Sequence, residues 1–275
     1  MYFDAHCHLN DEKFADNRPT IVADFVAHQW KWLVTVGCDY ASSLSACSIT
    51  EKIRQEYMWW ADDFYAWATL WIHPSEVCFG AITKENIQDR MQQIKWLYEQ
   101  NKEVCYAIGE CGTDLHYDGA IDVIQLQQEL LAQQCQFALD VWLPVVIHSR
   151  DSFQYTVDIL KDFPSLTYYI HCFGYGPMEL EYLLSHFPNV FIGYDCNISY
   201  PKAQQLRDAC LLTPLDHMLL ETDSPYLAPQ PIRGQVNTPL QVAWLYQYIA
   251  DLRGLDVKMI QDVIAENYKK LYGIV

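Results

Sequence analysis

Short apolar runs alternate with longer amphipathic segments along the whole chain of 275 residues. The apolar runs predict eight strands, near residues 2–6, 33–37, 65–71, 104–109, 144–148, 167–171, 190–194 and 218–221. Helical patterns lie near 20–31, 43–57, 84–100, 121–141, 152–161, 178–186, 202–212, 239–252 and 257–271. Buried strands that alternate with helices are typical of parallel sheets. We therefore predict an α/β fold, a (β/α)8 TIM barrel formed by residues 1–275 as one domain.

A doubly wound open sheet is the competing fold. We disfavour it because no Gly-rich dinucleotide-binding motif follows the first predicted strand. Hydrophobic residues make up 51% of the chain, which is enough for a large core. No uncharged apolar stretch reaches 18 residues, and Asp4 and His6 stand where a signal peptide would need a basic region and an apolar core. We expect a cytoplasmic protein that does not bind membranes.

The ten cysteines and the net charge limit the function further. The cysteines form no Cys-x-x-Cys pair, so in a cytoplasmic protein we expect reduced thiols rather than disulfides. The formal charge is −17, which repels polyanions and supplies little of the counterion-release energy that drives nucleic-acid binding. Any nucleic acid must therefore be bound locally, at the active site.

Histidines and carboxylates cluster at the ends of the predicted strands. His6 and His8 are one residue apart, so in an extended segment both side chains project from one face. The carboxyl ends of all strands meet at one rim of a barrel, where active sites of this fold lie. That rim would collect His6, His8, Glu110, His148, His171 and Asp223, with His73 after the third strand. Imidazole and carboxylate ligands suit borderline divalent metals.

Each of these residues also has a structural interpretation when it is taken alone. His148 and His171 could be core histidines bonded to the backbone, Glu110 could cap a helix, and Asp223 could cap the turn before Pro225. Jointly, four histidines and two carboxylates at strand ends favour a metal site. Three further histidines are expected to be structural, namely His28, His186 and His217. The role of His116 is not assigned.

Several motifs, in order, carry a resemblance to a known family. They are Asp4-Ala5-His6-Cys7-His8-Leu9, Val36-Gly37-Cys38-Asp39, His73-Pro74, Ile108-Gly109-Glu110, Pro144-Val145-Val146-Ile147-His148-Ser149-Arg150, Ile170-His171-Cys172-Phe173, Leu220-Glu221-Thr222-Asp223-Ser224-Pro225-Tyr226-Leu227 and Arg233-Gly234 with Asn237 and Pro239. The chain resembles the TatD-type metal-dependent deoxyribonucleases of the amidohydrolase-like barrel superfamily over nearly its whole length.

The resemblance implies that the predicted TIM barrel is of the metal-dependent hydrolase type. It also implies a phosphodiester hydrolase with two divalent metal ions, which could be Zn²⁺, Mn²⁺ or Mg²⁺. It implies one metal on His6, His8, Glu110 and Asp223 and the other on Glu110, His148 and His171, with Glu110 bridging. Asp223 and Glu110 are then the catalytic carboxylates, and Asp223 could orient or deprotonate the attacking water. Glu221 is either a hydrogen-bond partner of a ligand histidine or part of a salt bridge inside the barrel.

Four residues are predicted to bind substrate. Arg150 and Arg233 are candidates for a phosphate clamp, although either could pair with a carboxylate instead. The family's His-Pro motif implies that His73 contacts a phosphate. Tyr226 could stack a base or pack beneath its loop.

The predicted function is a 3′-5′ exonuclease on DNA, or on RNA, with short or single-stranded ends as substrates. This preference follows from the charge and from Gln235 and Val236, which stand where the family carries two basic residues. One alternative is a hydrolase of small phosphoesters, amides or lactones on the same site. Amide and lactone hydrolases of this superfamily often bridge their metals with a carboxylated lysine, and this chain has Glu110 at that position. The remaining alternative is a non-enzymatic metal-binding interaction protein.

Overall fold

A parallel barrel forms the centre of the computed structural model, which describes residues 1–59, 61 and 64–273. Its strands are hydrogen-bonded in chain order: β1 (Phe3–Cys7), β2 (Trp32–Val36), β3 (Tyr65–Leu70), β4 (Cys105–Asp114), β5 (Val145–Arg150), β6 (Tyr168–Ile170), β7 (Val190–Tyr194) and β8 (Met218–Leu220). The chain after β8 returns to β1: Asp223 N–H donates to the carbonyl of His6 at 2.9 Å, and His8 N–H donates to that of Ser224 at 2.7 Å. These bonds close the sheet, and the predicted TIM barrel is confirmed.

Helices cover the outside of the barrel. The described residues form α1 (Arg18–Ala27), α2 (Tyr40–Tyr57), α3 (Ser75–Cys78), α4 (Ile87–Gln100), α5 (Ile124–Val141), α6 (Phe153–Leu160), α7 (Pro177–His186), α8 (Gln204–Leu212), α9 (Val242–Arg253) and α10 (Val257–Tyr272). The sequence predicted each of them except the four-residue helix α3. No helix in this described part of the chain is both long and apolar enough to cross a membrane.

The sequence pattern explains why these elements pack together. In α10, Ile260, Ile264, Tyr268 and Leu271 recur every three or four residues and are all buried, so one face of the helix covers the barrel. Strands β1, β2 and β7 are buried at every residue because side chains fill the barrel on one face and helices cover the other. The ten cysteines are free thiols, as predicted.

Two strands are longer than predicted. Strand β4 continues to Asp114 and β5 to Arg150, so Glu110 and His148 lie within strands instead of at their ends. The predicted strand ended at Gly109, and glycine inside a strand generally weakens it. In the barrel, glycine allows close approach instead: a Cβ on Gly112, at φ +155°, would lie 1.7 Å from the carbonyl oxygen of His148. Glycine therefore lets β4 and β5 pair closely beside the site.

Candidate metal centre

The barrel brings all six predicted metal ligands to its carboxyl-terminal rim. Around His6, His8 and Asp223 the polar atoms face one another closely. His6 Nε2 lies 3.3 Å from His8 Nε2 and 3.7 Å from Asp223 Oδ1, and His8 Nε2 lies 3.2 Å from the same carboxylate oxygen. The other carboxylate of this cluster is Glu110, whose Oε2 is 3.5 Å from His6 Nε2.

A second cluster shares Glu110 with the first. Its Oε1 atom lies 3.2 Å from His171 Nε2, 2.8 Å from His148 Nδ1 and 3.6 Å from His73 Nε2. One oxygen of Glu110 therefore faces the His6 cluster and the other faces His148 and His171. The rings of His6 and His171 stack with their centroids 3.6 Å apart, so the two clusters adjoin.

The protonation state of Glu110 suits a metal ligand. Burial alone would raise the pKa of its carboxyl group, but the charges of His171 and His73 and the hydrogen bonds from His148 and His171 outweigh burial. Together they hold the pKa of Glu110 well below its usual range. Burial also raises the pKa of Asp223. The hydrogen bond with His8 and the charges of the nearby imidazoles outweigh it and lower the pKa below its usual value. Both carboxylates are therefore ionised at neutral pH.

The spacing of these atoms fits divalent metal ions. Nitrogen and oxygen ligands that lie about 2.0–2.2 Å from a tetrahedral ion are themselves about 3.3–3.6 Å apart. The separations in the His6 cluster range from 3.2 Å, between His8 and Asp223, to 3.9 Å, between His8 and Glu110. In the described part of the chain, the ion pairs of Glu110 are all with histidines, so no lysine or arginine neutralises it. The donor set is that of a borderline metal such as Zn²⁺ or Mn²⁺.

Glu221 contacts two of the histidines predicted to be metal ligands. Its Oε2 atom lies 3.0 Å from His171 Nδ1 and 3.9 Å from His6 Nδ1, and it accepts a hydrogen bond from Tyr169. Its Oε1 atom accepts from the backbone N–H of Cys172 at 2.6 Å. Its ion-pair partners among the described residues are these histidines rather than lysine or arginine. Of the two interpretations drawn from the sequence, the arrangement favours the hydrogen-bond partner of a ligand histidine.

Asp4 fixes the segment that carries Asp223. Its Oδ1 atom accepts from Thr222 N–H at 2.9 Å, and its Oδ2 atom accepts from the Thr222 hydroxyl at 2.6 Å. Full burial raises the pKa of Asp4 well above its usual range, while the two bonds from Thr222 oppose that shift. Because Asp4 lies two residues before His6 on β1, these bonds hold the predicted ligand on β1 close to the segment after β8 that carries Asp223.

The sequence analysis missed one residue of the site, Asp114. Its Oδ2 atom lies 3.0 Å from His148 Nε2, so the imidazole of His148 is held between Asp114 and Glu110. The ligating atoms of His73, Asp114 and His148 all lie within 4.8 Å of one another. Asp114 is four residues after Glu110 on β4. An even spacing of two carboxylates on one strand is the signal that could have indicated it.

A cavity of about 1070 Å³ opens above the predicted metal ligands. This volume is slightly above the usual range of small-molecule sites, about 300–1,000 Å³. Its lining is strongly acidic, with carboxylates from Asp11, Glu12, Asp39, Glu76, Glu110, Asp114, Asp151 and Asp223. Among the described residues that line it, Arg150 is the only lysine or arginine. A polyanionic substrate would therefore contact few positively charged side chains in this cavity.

Three of the four predicted substrate residues line this cavity. They are His73, Arg150 and Tyr226. The hydroxyl of Tyr226 donates to Asp11 Oδ2 at 2.9 Å, and the ammonium of Lys13 lies 4.6 Å from its ring centroid. Arg233 does not line the cavity, because its guanidinium sits over the ring of Tyr200 at 4.3 Å. Its contact with substrate stays a prediction.

The histidines that were expected to be structural bond to the backbone. The Nδ1 atoms of His28, His186 and His217 lie 2.6–2.9 Å from the carbonyl oxygens of Asp24, Tyr182 and Val190. His116 is exposed beside the ring of Tyr117, with centroids 5.6 Å apart. None of these four lines the cavity within the described residues.

Comparisons with known proteins agree with this architecture. A family model described as TatD related DNase matches residues 3–273. The chain is 29% identical to YabD of Bacillus subtilis, called an uncharacterized metal-dependent hydrolase, and the match covers 100% of both chains. It is also 29% identical to the 3′-5′ ssDNA/RNA exonuclease TatD of Erwinia amylovora, over 99% of this chain and 100% of that protein.

A solved structure shows the same fold. The crystal structure of YJJV, a TatD homologue from Escherichia coli, matches with a TM-score of 0.85 at 23% sequence identity. The match covers 100% of this chain and 98% of that one. The fold, the converging ligand set and the match of residues 3–273 lead to one conclusion: this chain belongs to the family of TatD-related DNases and is a metal-dependent hydrolase.

Proposed function

We propose that this protein is a two-metal phosphodiesterase that removes nucleotides from the 3′ ends of single-stranded DNA or RNA. The observation that carries the proposal is the position of Glu110, whose two carboxylate oxygens face two separate clusters of imidazoles. A carboxylate shared in this way suits a bridge between two ions. The name of the Erwinia amylovora relative supports the choice of substrate.

In this proposal His6, His8, Glu110 and Asp223 hold one ion, and Glu110, His148 and His171 hold the other. When bound, a pair of divalent ions lowers the pKa of a coordinated water and stabilises the charge that develops on the phosphate oxygens. The donor set is rich in histidine and therefore favours Zn²⁺ or Mn²⁺ over Mg²⁺.

The protein's own residues would position the reactants. The Asp223 carboxylate, which is ionised and faces the cavity, accepts a proton from the attacking water or orients it. Arg150 would contact a phosphate oxygen from the cavity wall, because its guanidinium provides paired donors. His73 approaches the same wall with Nε2 3.6 Å from Glu110 Oε1, while Ser75 fixes its Nδ1 at 2.7 Å.

The acidic lining restricts the substrate. Duplex DNA carries about one negative charge per 1.7 Å of its axis, and a cavity with one arginine neutralises few of these charges. A free single-stranded end brings few phosphates to the site. The same lining favours a second candidate, hydrolysis of a small phosphoester, because such a substrate places one phosphate at the metals and none on the rim.

One experiment tests the proposal. The purified protein, loaded with Zn²⁺, Mn²⁺ or Mg²⁺, is incubated with a single-stranded DNA oligonucleotide, an RNA oligonucleotide and a small aryl phosphodiester. We expect stepwise shortening of an oligonucleotide from its 3′ end, and loss of activity in Glu110→Gln. Glu266→Gln is the matched control, since Glu266 is exposed on α10.

The outcomes separate the alternatives. Cleavage of the aryl phosphodiester alone would favour the small-phosphoester hydrolase. No cleavage of any substrate, with two metal ions bound per chain, would contradict the proposal and favour a non-enzymatic metal-binding protein.

A further inference from the structure

Two aromatic rings, those of Phe79 and Tyr117, contact each other at the edge of the cavity. Phe79 follows α3, and the residue is 68% exposed. Tyr117 lies in the loop after β4 and lines the cavity. Their ring centroids are 4.9 Å apart at an interplanar angle of 65°, so the rings support each other edge to face. The pair is continuous with the cavity through Tyr117.

The backbone around these rings is ordered by specific bonds. Phe79 N–H donates to the carbonyl of Ser75 at 2.8 Å, which fixes the residue at the end of α3. On the other side, the N–H of Leu115 donates to the carbonyl of Arg150 at 2.9 Å, and strand pairing sets Asp114 opposite Arg150. Tyr117 and Arg150 therefore belong to the same wall of the cavity.

The charge of the cavity limits what can bind a nucleic acid there. With Arg150 as the only lysine or arginine among the described lining residues, attraction between phosphates and basic side chains contributes little. Contacts to uncharged parts of the substrate must then supply much of the affinity. Aromatic side chains supply such contacts by stacking on bases, and stacking tolerates any base sequence. Phe79 is a largely exposed aromatic residue, and it contacts Tyr117 of the cavity lining.

We infer that Phe79 and Tyr117 form an aromatic platform, in which the ring of Phe79, supported edge to face by Tyr117, stacks a nucleobase of a single-stranded substrate while a neighbouring phosphate lies at the metals. The inference rests on the proposed nuclease function and adds a base-binding site to it. The platform would lie on the His73 side of the cavity, together with Arg150. It would make bases, rather than the phosphate chain, the main source of substrate affinity.

The test compares two single-stranded DNA oligonucleotides of equal length. One carries thymine at its three 3′-terminal positions, and the other carries abasic tetrahydrofuran residues there. The value of kcat/KM is measured for both with the wild-type enzyme and with Phe79→Ala, Tyr117→Ala and Tyr117→Phe. Trp96→Ala is the matched control, because Trp96 is a 58% exposed aromatic residue on α4 outside the cavity lining.

We expect the wild-type enzyme to prefer the thymine substrate by about 5- to 150-fold, the range for one stacked base. Phe79→Ala and Tyr117→Ala should lose most of this preference through a higher KM, and they should cleave the abasic oligonucleotide as the wild type does. Tyr117→Phe and Trp96→Ala should keep the preference.

Three results would overturn the inference. The alanine variants of Phe79 and Tyr117 could retain the wild-type preference, or they could slow cleavage of both oligonucleotides equally. The wild-type enzyme could also cleave the two substrates equally well. Failure of the wild-type enzyme to cleave either oligonucleotide would instead overturn the proposed nuclease function, and the platform with it.

Discussion

Replacing Glu221 with glutamine tests how the metal centre is supported from beneath. The substitution keeps the size of a fully buried side chain but turns one of its two oxygens into an NH₂ donor. If the NH₂ group faces His171 Nδ1, now 3.0 Å from Oε2, two donors oppose each other. If the amide is flipped, the NH₂ group faces the backbone N–H of Cys172, which is 2.6 Å from Oε1. Neither orientation satisfies both sides.

The magnitude follows from this conflict. An unsatisfied buried donor costs about 1–3 kcal/mol, and loss of the partner of a ligand histidine reduces metal affinity about 10–100-fold. We therefore expect Glu221→Gln to weaken binding of at least one metal ion by about 10–100-fold. Either His171 loses the acceptor that fixes its ring and tautomer, or the NH₂ group opposes the backbone N–H of Cys172 and displaces the side chain that holds His171.

The assay is competition for Zn²⁺ with a chromophoric chelator, measured for Glu221→Gln and for the surface control Glu266→Gln. Thermal unfolding of both chelator-treated variants separates metal affinity from general stability. A change in metal affinity below about threefold in Glu221→Gln would refute the reasoning, because Glu221 would then contribute to the barrel but not to the ligands.

Three further predictions concern charge, pH and metal removal. A plot of the logarithm of kcat/KM for a single-stranded oligonucleotide against the logarithm of the salt concentration should have a slope shallower than about −1.5. Each neutralised phosphate contributes about −0.7 to this slope, and Arg150 is the only arginine or lysine of the described lining. A slope of about −4 would contradict the prediction. In the metal-free protein, burial raises the pKa of Asp195 from 3.8 to about 7, with Glu221 adding to the shift. The stability that protonated Asp195 provides is therefore complete below pH 3.8 and is lost as the pH rises through 7. Urea unfolding should show that Asp195→Asn becomes more stable relative to the wild type as the pH rises through this window. A difference in unfolding free energy that does not change with pH would contradict the prediction. Calorimetry with and without a chelator should show a lower Tm for the metal-free protein, because an ion at 100 times its Kd stabilises the fold by about 2.7 kcal/mol; an equal shift in Glu110→Gln would show that the ion binds elsewhere.

The strands and their order could be predicted because both depend on local pattern. Runs such as the one that became β7 (Val190–Tyr194) are apolar throughout, and a helix after nearly every strand leaves few topologies besides a barrel. Once the barrel was assumed, the convergence of the predicted ligands followed from it, since all strand ends share one rim. The convergence of His6, His148 and His171 is a consequence of the fold.

The rest depends on contacts that sequence spacing does not encode. Strand β4 passes through Gly109 and Gly112, where φ is positive, and only the approach of β5 shows why glycine is needed there. Asp114 was missed for this reason. The direction of Arg233 is set by the ring of Tyr200. The two interpretations of Glu221 could be separated only by its neighbours.

The central claim is that Glu110 joins two metal ions at the rim of the barrel. Anomalous diffraction from crystals grown with Zn²⁺ or Mn²⁺ tests it most directly. We predict two peaks per chain, about 3.5–4 Å apart, one on each side of the Glu110 carboxylate, and loss of at least one of them in Glu110→Gln. A single peak, or two peaks that do not contact Glu110, would contradict the account.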